Sequence, residues 1–216
     1  MAGSKRGDLK ARRRAADIIK RLEKAIPEAD TALDYETPFQ LLVATILSAQ
    51  CTDVRVNQVT PKLFQTFPGP NDILQGDPEV LIALIRSTGF FNNKAKNIIG
   101  CAKTLLGKHG GEVPEDLEAL TALPGVGRKT ANVVLGTAFG HPAIVVDTHV
   151  RRVSNRLGLS KSADPVKIEA DLSRLFPKQK WTAGAHRLLL HGRRTCKARK
   201  PQCDSCVLAN LCPSAA

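Results

Sequence analysis

The sequence predicts an all-α fold, and three observations carry that prediction. Apolar residues recur at spacings of three and four along nearly the whole chain. No convincing alternating run marks a strand, and the one β-like patch, Ala143–Val146, is too short to build on. Helix-start signatures punctuate the pattern, as at Thr37-Pro38-Phe39-Gln40, Asp77-Pro78-Glu79 and Asp164-Pro165. Roughly ten short helices are expected, with no internal repeat long enough for a solenoid.

Taken in order, residues 5–26 read as a basic amphipathic helix with Ile18, Ile19, Leu22 and Ile26 on its apolar face. At the next start Thr37 is the expected N-cap, Pro38 opens the first turn and Gln40 completes a capping box. A buried helix with Leu41, Leu42, Ile46 and Leu47 follows and ends at Ser48–Asp53, where Asp53 is positioned to cap its successor. Pro61 interrupts that successor, so a break or a fresh start is expected there. Asp77-Pro78-Glu79 opens a helix with Val80, Leu81, Leu84 and Ile85. Gly89–Asn93 reads as a turn, Lys94–His109 as a helix and Pro114–Leu120 as a short one. Lys129–Phe139 is helix-forming. Further helices start at Asp147-Thr148-His149, at Asp164-Pro165 and over Trp181–His191.

The charge balance narrows the partner. Lys+Arg number 32 against 20 Asp+Glu, a formal charge of +12, so a polyanion, nucleic acid or an anionic membrane, is the first expectation. No apolar run approaches the roughly 18 residues that span a bilayer. The basic start, Met1–Arg6, has no apolar stretch behind it and does not read as a secretory signal. Nucleic acid is therefore favoured. Basic residues gather in the first helix, nine up to Lys24 against three acids. They gather again between Phe176 and Cys203, where there is no Asp or Glu. A solvated helix face accounts for the first cluster as readily as a polyanion surface does.

Two stretches carry chemistry. Leu123-Pro124-Gly125-Val126-Gly127-Arg128-Lys129-Thr130-Ala131 makes a tight glycine hairpin that leads into a helix. First-turn amides have no acceptor inside their helix, and the dipole makes that end an anion site. A lysine there is electrostatically awkward. It is either an exposed surface residue or an amine placed for reaction. The second stretch, Cys196-x6-Cys203-x2-Cys206-x5-Cys212, is a metal site. Zinc and a [4Fe–4S] cluster are the alternatives. A single C-x2-C with longer outer gaps favours iron–sulfur, because zinc sites usually pair short knuckles. Cys51 and Cys101 read as small core residues on apolar helices.

The hairpin, the Val146–His149 segment, Leu47-Ser48-Ala49-Gln50, His191-Gly192-Arg193 and the four cysteines together resemble the endonuclease III family. The resemblance covers nearly the whole chain, from Lys10 to Pro213. It implies a two-lobed helix-hairpin-helix DNA glycosylase fold with a DNA-binding cleft. Residues 31–141 would form a six-helix barrel with the hairpin. Residues 1–30 and 142–216 would form a discontinuous iron–sulfur cluster lobe, with Cys196, Cys203, Cys206 and Cys212 holding a [4Fe–4S] cluster.

The resemblance also implies a base-excision-repair enzyme. Such an enzyme removes oxidised pyrimidines from duplex DNA through a lysine Schiff base, then cleaves the strand at the abasic site by β-elimination. Lys129 matches the nucleophile and Asp147, 18 residues on, the essential aspartate. Without the resemblance, Asp147 is simply an N-cap. A base inside a duplex must be flipped out, and Gln50 and Phe90 match the residues that fill the gap. Phe90 stands where the best-known members carry leucine, and the other reading of Phe90 is a core aromatic. Gly125, Val126, Gly127, Arg128, Thr130 and His149 match the DNA-gripping positions. A monomer, cytoplasmic and nucleoid-associated if bacterial, is expected, with double-stranded DNA bearing damaged pyrimidines or abasic sites as partner and no membrane. Two other readings compete. One is the related adenine glycosylase, which lacks the lysine and has an extra C-terminal domain. The other is a non-catalytic DNA clamp, which does not require both Lys129 and Asp147.

Overall fold

The computed structural model describes the backbone of residues 2–215 and the side chains of residues 7–215, so the side chains of the basic start, 1–6, lie outside it. Among the described residues there are eleven α-helices and no strand. In chain order they are α1 (Ala2–Ala25), α2 (Pro38–Leu47), α3 (Asp53–Thr66), α4 (Pro70–Gln75), α5 (Pro78–Ile85) and α6 (Phe91–His109). Then come α7 (Leu117–Thr121), α8 (Arg128–Ala138), α9 (Thr148–Arg156), α10 (Pro165–Leu175) and α11 (Trp181–Arg194). Ala143–Val146 is irregular chain. The backbone forms two compact units, one of residues 31–141 and one of residues 1–30 with 142–216.

In the unit 31–141, α2 is buried nearly all round, from Phe39 to Leu47. Thr37 Oγ1 accepts from the Gln40 amide at 3.2 Å, while the Gln40 side chain accepts from the Glu36 amide at 2.8 Å. The capping box thus closes one residue further out than its usual form. Helix α2 packs on α3, α6 and α8, and α4 lies along α6. Leu41, Leu42, Leu63, Leu81, Ile85, Ile98, Leu105 and Leu120 are fully buried. At about 1.5–3 kcal/mol for each such side chain, this apolar face is the main stabilising term of the unit.

Several boundaries differ from the expected ones. Helix α3 runs straight through Pro61. Proline deprives the Asn57 carbonyl of its partner, but α3 buries Val56, Val59, Thr60 and Leu63 on one face, and that packing outweighs one lost hydrogen bond. The cap of α3 is Thr52, which accepts from the Arg55 amide at 3.2 Å; Asp53 is the first helical residue instead. Helix α4 has no counterpart among the expected elements. Its start is Gly69-Pro70, with the Asp72 carboxylate accepting from the Gly69 amide at 2.9 Å. Helix α6 starts three residues before Lys94, and α7 three residues after Pro114, where Asp116 caps the Ala119 amide at 2.8 Å.

The unit formed by residues 1–30 and 142–216 has its own core: Ile18, Ile19 and Leu22 of α1 against Val150 and Val153 of α9, Ile168 and Leu172 of α10, and Leu188 of α11. Part of the first basic cluster is structural here. Arg14 donates to the Leu157 and Leu211 carbonyls at 2.7 and 2.9 Å, and Arg21 to the Val207 carbonyl at 3.1 Å. Arg187 likewise ties α11 to the Ile26 and Pro27 carbonyls. Arg193, Arg194, Lys197, Arg199 and Lys200 of the second basic cluster stay exposed, as do Lys10, Arg12, Arg13, Lys20 and Lys24 of the first, so both add to the cationic surface of this unit.

Candidate functional site

The hairpin between α7 and α8 is built against α6. Gly125 takes φ +76°, and a Cβ there would stand 2.7 Å from Asn97 Cβ, so both backbone and space demand glycine. Pro124 rests on Gly100, where an added Cβ would lie 3.1 Å from its ring. Leu123 and Val126 are buried and anchor the hairpin from below, with the Val126 amide donating to the Leu123 carbonyl at 3.1 Å. Gly127 differs from Gly125. Its φ of −89° suits any residue, and an added Cβ would meet nothing within 4 Å. The space beside it is open to a close-approaching ligand.

Gly127 is the N-cap of α8 and offers no side-chain cap, so the positive end of the helix dipole is not quenched by a carboxylate or hydroxyl. Arg128, Lys129 and Thr130 form the first turn, with Lys129 exposed and Thr130 half-buried. Among the described residues the Lys129 ammonium has no hydrogen-bond or ion-pair partner. An amine so placed is accessible to an electrophile beside an anion-binding backbone.

Gln50 and Phe90 share an unusual backbone. Both adopt the left-handed conformation, at φ 53° and 49°, where a side chain costs energy and glycine is usual. Gln50 is exposed just beyond α2, and Phe90 is 63% exposed at the N-cap of α6. Phe90 is therefore no core aromatic. Its neighbour Phe91 is half-buried beneath the Arg86 guanidinium, which sits 5.4 Å from the ring centroid. Strain of this kind persists where the surroundings hold it, and it gathers at working sites.

In the other unit, Asp147 caps α9, its Oδ1 accepting from the Val150 amide at 2.8 Å. Its Oδ2 carries no hydrogen bond among the described residues. One oxygen thus fixes the carboxylate and the other remains available. His149 Nδ1 lies 3.1 Å from the Arg152 guanidinium, which also donates to the Gly192 and Cys196 carbonyls. Burial lowers the pKa of His186; Asp30 opposes that, Arg193 adds to it, and Asp147 opposes it too.

Cys196, Cys203, Cys206 and Cys212, all free of disulfides, line a cavity of about 140 Å³ with Val153, Arg156, Leu157 and His191. Donors converge on the sulfurs. Arg156 donates to Cys196 Sγ and the Leu208 amide to Cys206 Sγ, each at 3.4 Å, and His191 Nε2 stands 3.6 Å from Cys206 Sγ. Burial pushes the Cys206 thiol up, the Leu208 amide offsets part of this, and the other three cysteines push it further. Four thiolates therefore need a cationic centre to coexist here. Sulfurs ringed about a cavity suit a cluster better than one zinc.

Cys51 departs from expectation: it sits half-buried in the bend after Gln50, not on an apolar helix, whereas Cys101 is fully buried in α6. Sequence reasoning passed over Lys94, Arg152 and Arg156, and gave His191, part of the resembling segment His191-Gly192-Arg193, no role of its own. Basic residues on amphipathic helices carry no mark that separates a buried donor from a solvated one.

Comparison with known proteins agrees with this geometry. Residues 43–178 match the HhH-GPD superfamily of base excision DNA repair proteins, and residues 196–212 match the iron–sulfur binding domain of endonuclease III. Endonuclease III of Synechocystis is 55% identical over 205 residues, covering 94% of each chain. That of Escherichia coli K12 is 47% identical, covering 91% of this chain and 93% of the relative. A trapped covalent intermediate of endonuclease III with DNA superimposes with a TM-score of 0.89 at 45% identity, covering 94% of this chain and 96% of that one. The cofactor is an iron–sulfur cluster of the [4Fe–4S] type. With the hairpin, the cysteine cavity and these matches in agreement, the chain belongs to the endonuclease III family, within the HhH-GPD superfamily of base excision DNA repair proteins.

Proposed function

We propose that this chain is a bifunctional DNA glycosylase and abasic-site lyase in which Lys129 is the nucleophile. The observation that carries the assignment is the exposed amine in the first turn of α8, without a partner among the described residues and directly behind a hairpin with open backbone at Gly127. The neutral amine attacks C1′ of the damaged nucleoside, and the C1′–N bond breaks as the departing base takes a proton. Loss of the amine proton and ring opening give an iminium. That iminium is the electron sink for removal of a C2′ proton and cleavage of the C3′–O bond. Water then hydrolyses the iminium and returns the lysine.

Asp147 stabilises the cationic sugar through Oδ2, or relays a proton through water, while Oδ1 keeps the carboxylate in place. Amides around Gly125, Val126 and Gly127 grip phosphates, with Arg128, Thr130 and His149 adding contacts that read no sequence. Gln50 and Phe90 fill the space vacated by the flipped nucleotide. Cys196, Cys203, Cys206 and Cys212 hold the cluster, which supplies charge and braces residues 196–212. Residues 31–141 act as the hairpin-bearing lobe, and 1–30 with 142–216 as the cluster lobe.

The substrates are oxidised pyrimidines such as thymine glycol, and abasic sites, in double-stranded DNA. The working form is a monomer in the cytoplasm, at the nucleoid in a bacterium. Among the described residues no helix is long and apolar enough to cross a membrane. Single-turnover excision on a panel of single-lesion duplexes tests the reading. Thymine glycol is expected to be cleaved with a β-elimination end. Excision that leaves intact abasic strands, or no excision from any lesion, would overturn it.

A further inference from the structure

Lys94 is a buried lysine whose hydrogen bonds, among the described residues, go to backbone carbonyls alone. It is 4% exposed, and its ammonium donates to the Leu47 and Thr88 carbonyls, at 2.8 Å each. Those two carbonyls stand just before the strained residues in the chain. Leu47 is the last residue of α2, three before Gln50, and Thr88 ends the 3-10 turn Arg86–Thr88, two before Phe90. Carbonyls at helix C-termini lack partners within the helix and lie at the negative end of its dipole, so a cation is their natural counterpart. One ammonium therefore joins two chain segments that are 41 residues apart in sequence (88 − 47).

The cost of this arrangement makes it informative. Burial lowers the pKa of Lys94, with Cys51 opposing the shift. Among the described residues no carboxylate pairs with it. An apolar side chain of similar length would be buried more cheaply. What the lysine supplies is directional fixing of both loops to one point. Helix α6 carries this point to the hairpin, since Lys94, Asn97 and Cys101 share one of its faces and Asn97 lies beneath Gly125.

We propose that Lys94 is a positioning residue for base extrusion, pinning the Gln50 and Phe90 loops together so that the two side chains enter the duplex as a pair. This rests on the reading of Gln50 and Phe90 as gap fillers. Extrusion is the step the pin serves, since a base must leave the paired stack before Gln50 and Phe90 take its place.

The test uses the full, cluster-loaded chain. Lys94→Met keeps the volume of the stem and removes the donors. Extrusion is followed by 2-aminopurine fluorescence beside thymine glycol in duplex DNA, and borohydride trapping is measured on single-stranded abasic DNA, where nothing has to be extruded. Lys94→Met is expected to slow extrusion and single-turnover excision at least tenfold, to leave single-stranded trapping within twofold, and to melt no lower than the parent. Lys94→Arg is expected to recover part of the extrusion rate. An unchanged duplex rate would overturn the proposal, and so would equal losses on both substrates, which mark a general structural role. If Lys94→Met does not fold, Lys94→Gln carries the same two outcomes. Gln50→Ala and Phe90→Ala separate the two levels. If neither alters extrusion, the gap-filler reading fails; if both do while Lys94→Met does not, only the positioning role fails.

Discussion

Replacing Gly125 by alanine tests whether the hairpin is held by α6 as described. Position 125 has φ +76°, and the left-handed region costs an L-residue roughly 1–2 kcal/mol. The new Cβ would also lie 2.7 Å from Asn97 Cβ and 2.9 Å from its Cγ and Nδ2. Relieving such overpacking costs about 1–3 kcal/mol. The sum, about 2–5 kcal/mol, is a large share of the roughly 5–15 kcal/mol that holds an ordinary domain together. Urea unfolding followed by circular dichroism measures the loss. A double-mutant cycle with Asn97→Gly isolates the steric part, expected as a coupling of about 1–3 kcal/mol. Gly127→Ala is the internal contrast. With φ −89° and nothing within 4 Å, it should change stability by no more than about 1 kcal/mol. Yet it should weaken binding to undamaged duplex, because its Cβ occupies the space left for a phosphate. A Gly125→Ala protein as stable as the parent, or zero coupling to Asn97, would refute the packing argument.

Three further outcomes follow from other parts of the molecule. The purified protein is expected to be yellow-brown with iron and sulfide in equal amount, and Cys203→Ser to lose colour and expose residues 196–212 to protease. A colourless, zinc-bearing wild type would contradict the cluster assignment. Duplex affinity should fall steeply with salt, each neutralised phosphate adding about −0.9 to the slope of log K against log salt; a flat dependence would contradict the cationic surface formed by Arg193, Arg194, Lys197, Arg199 and Lys200. Burial pushes the Cys101 thiol up to about 12 from an ordinary value of 9.0. Because the folded value lies above the unfolded one, the stabilising contribution is complete below pH 9 and is lost as pH rises towards 12. Cys101 should therefore resist iodoacetamide at pH 9 until urea is added, as peptide mass spectrometry would show, and rapid native labelling would contradict its burial.

The helical class was legible because apolar periodicity and caps act locally: Thr37, Asp77, Asp147 and Asp164 each cap the helix their sequence context indicates. What failed were features decided by tertiary packing. Pro61 reads as a breaker in isolation, but the buried face of α3 carries the helix through it. Helix α4, which no sequence signal had indicated, packs along α6 and buries Ile73. The positions of the hairpin and the cysteines were visible because turn chemistry and ligand spacing are short-range. Lys94 was invisible for the opposite reason. Nothing in Asn92-Asn93-Lys94-Ala95-Lys96 says which lysine turns inward, and only the carbonyls of Leu47 and Thr88, brought together by the fold, decide it. Arg156 and His191 meet the cysteines in the same non-local way.

The central claim is that the amine of Lys129 forms the covalent bond to the sugar. Borohydride trapping on a thymine glycol duplex, followed by proteolysis and mass spectrometry of the nucleotide-bearing peptide, tests it most directly. The adduct should map to Lys129, and Lys129→Gln should bind the duplex with no adduct at all. An adduct mapped to any other amine, or full trapping by Lys129→Gln, would contradict the claim.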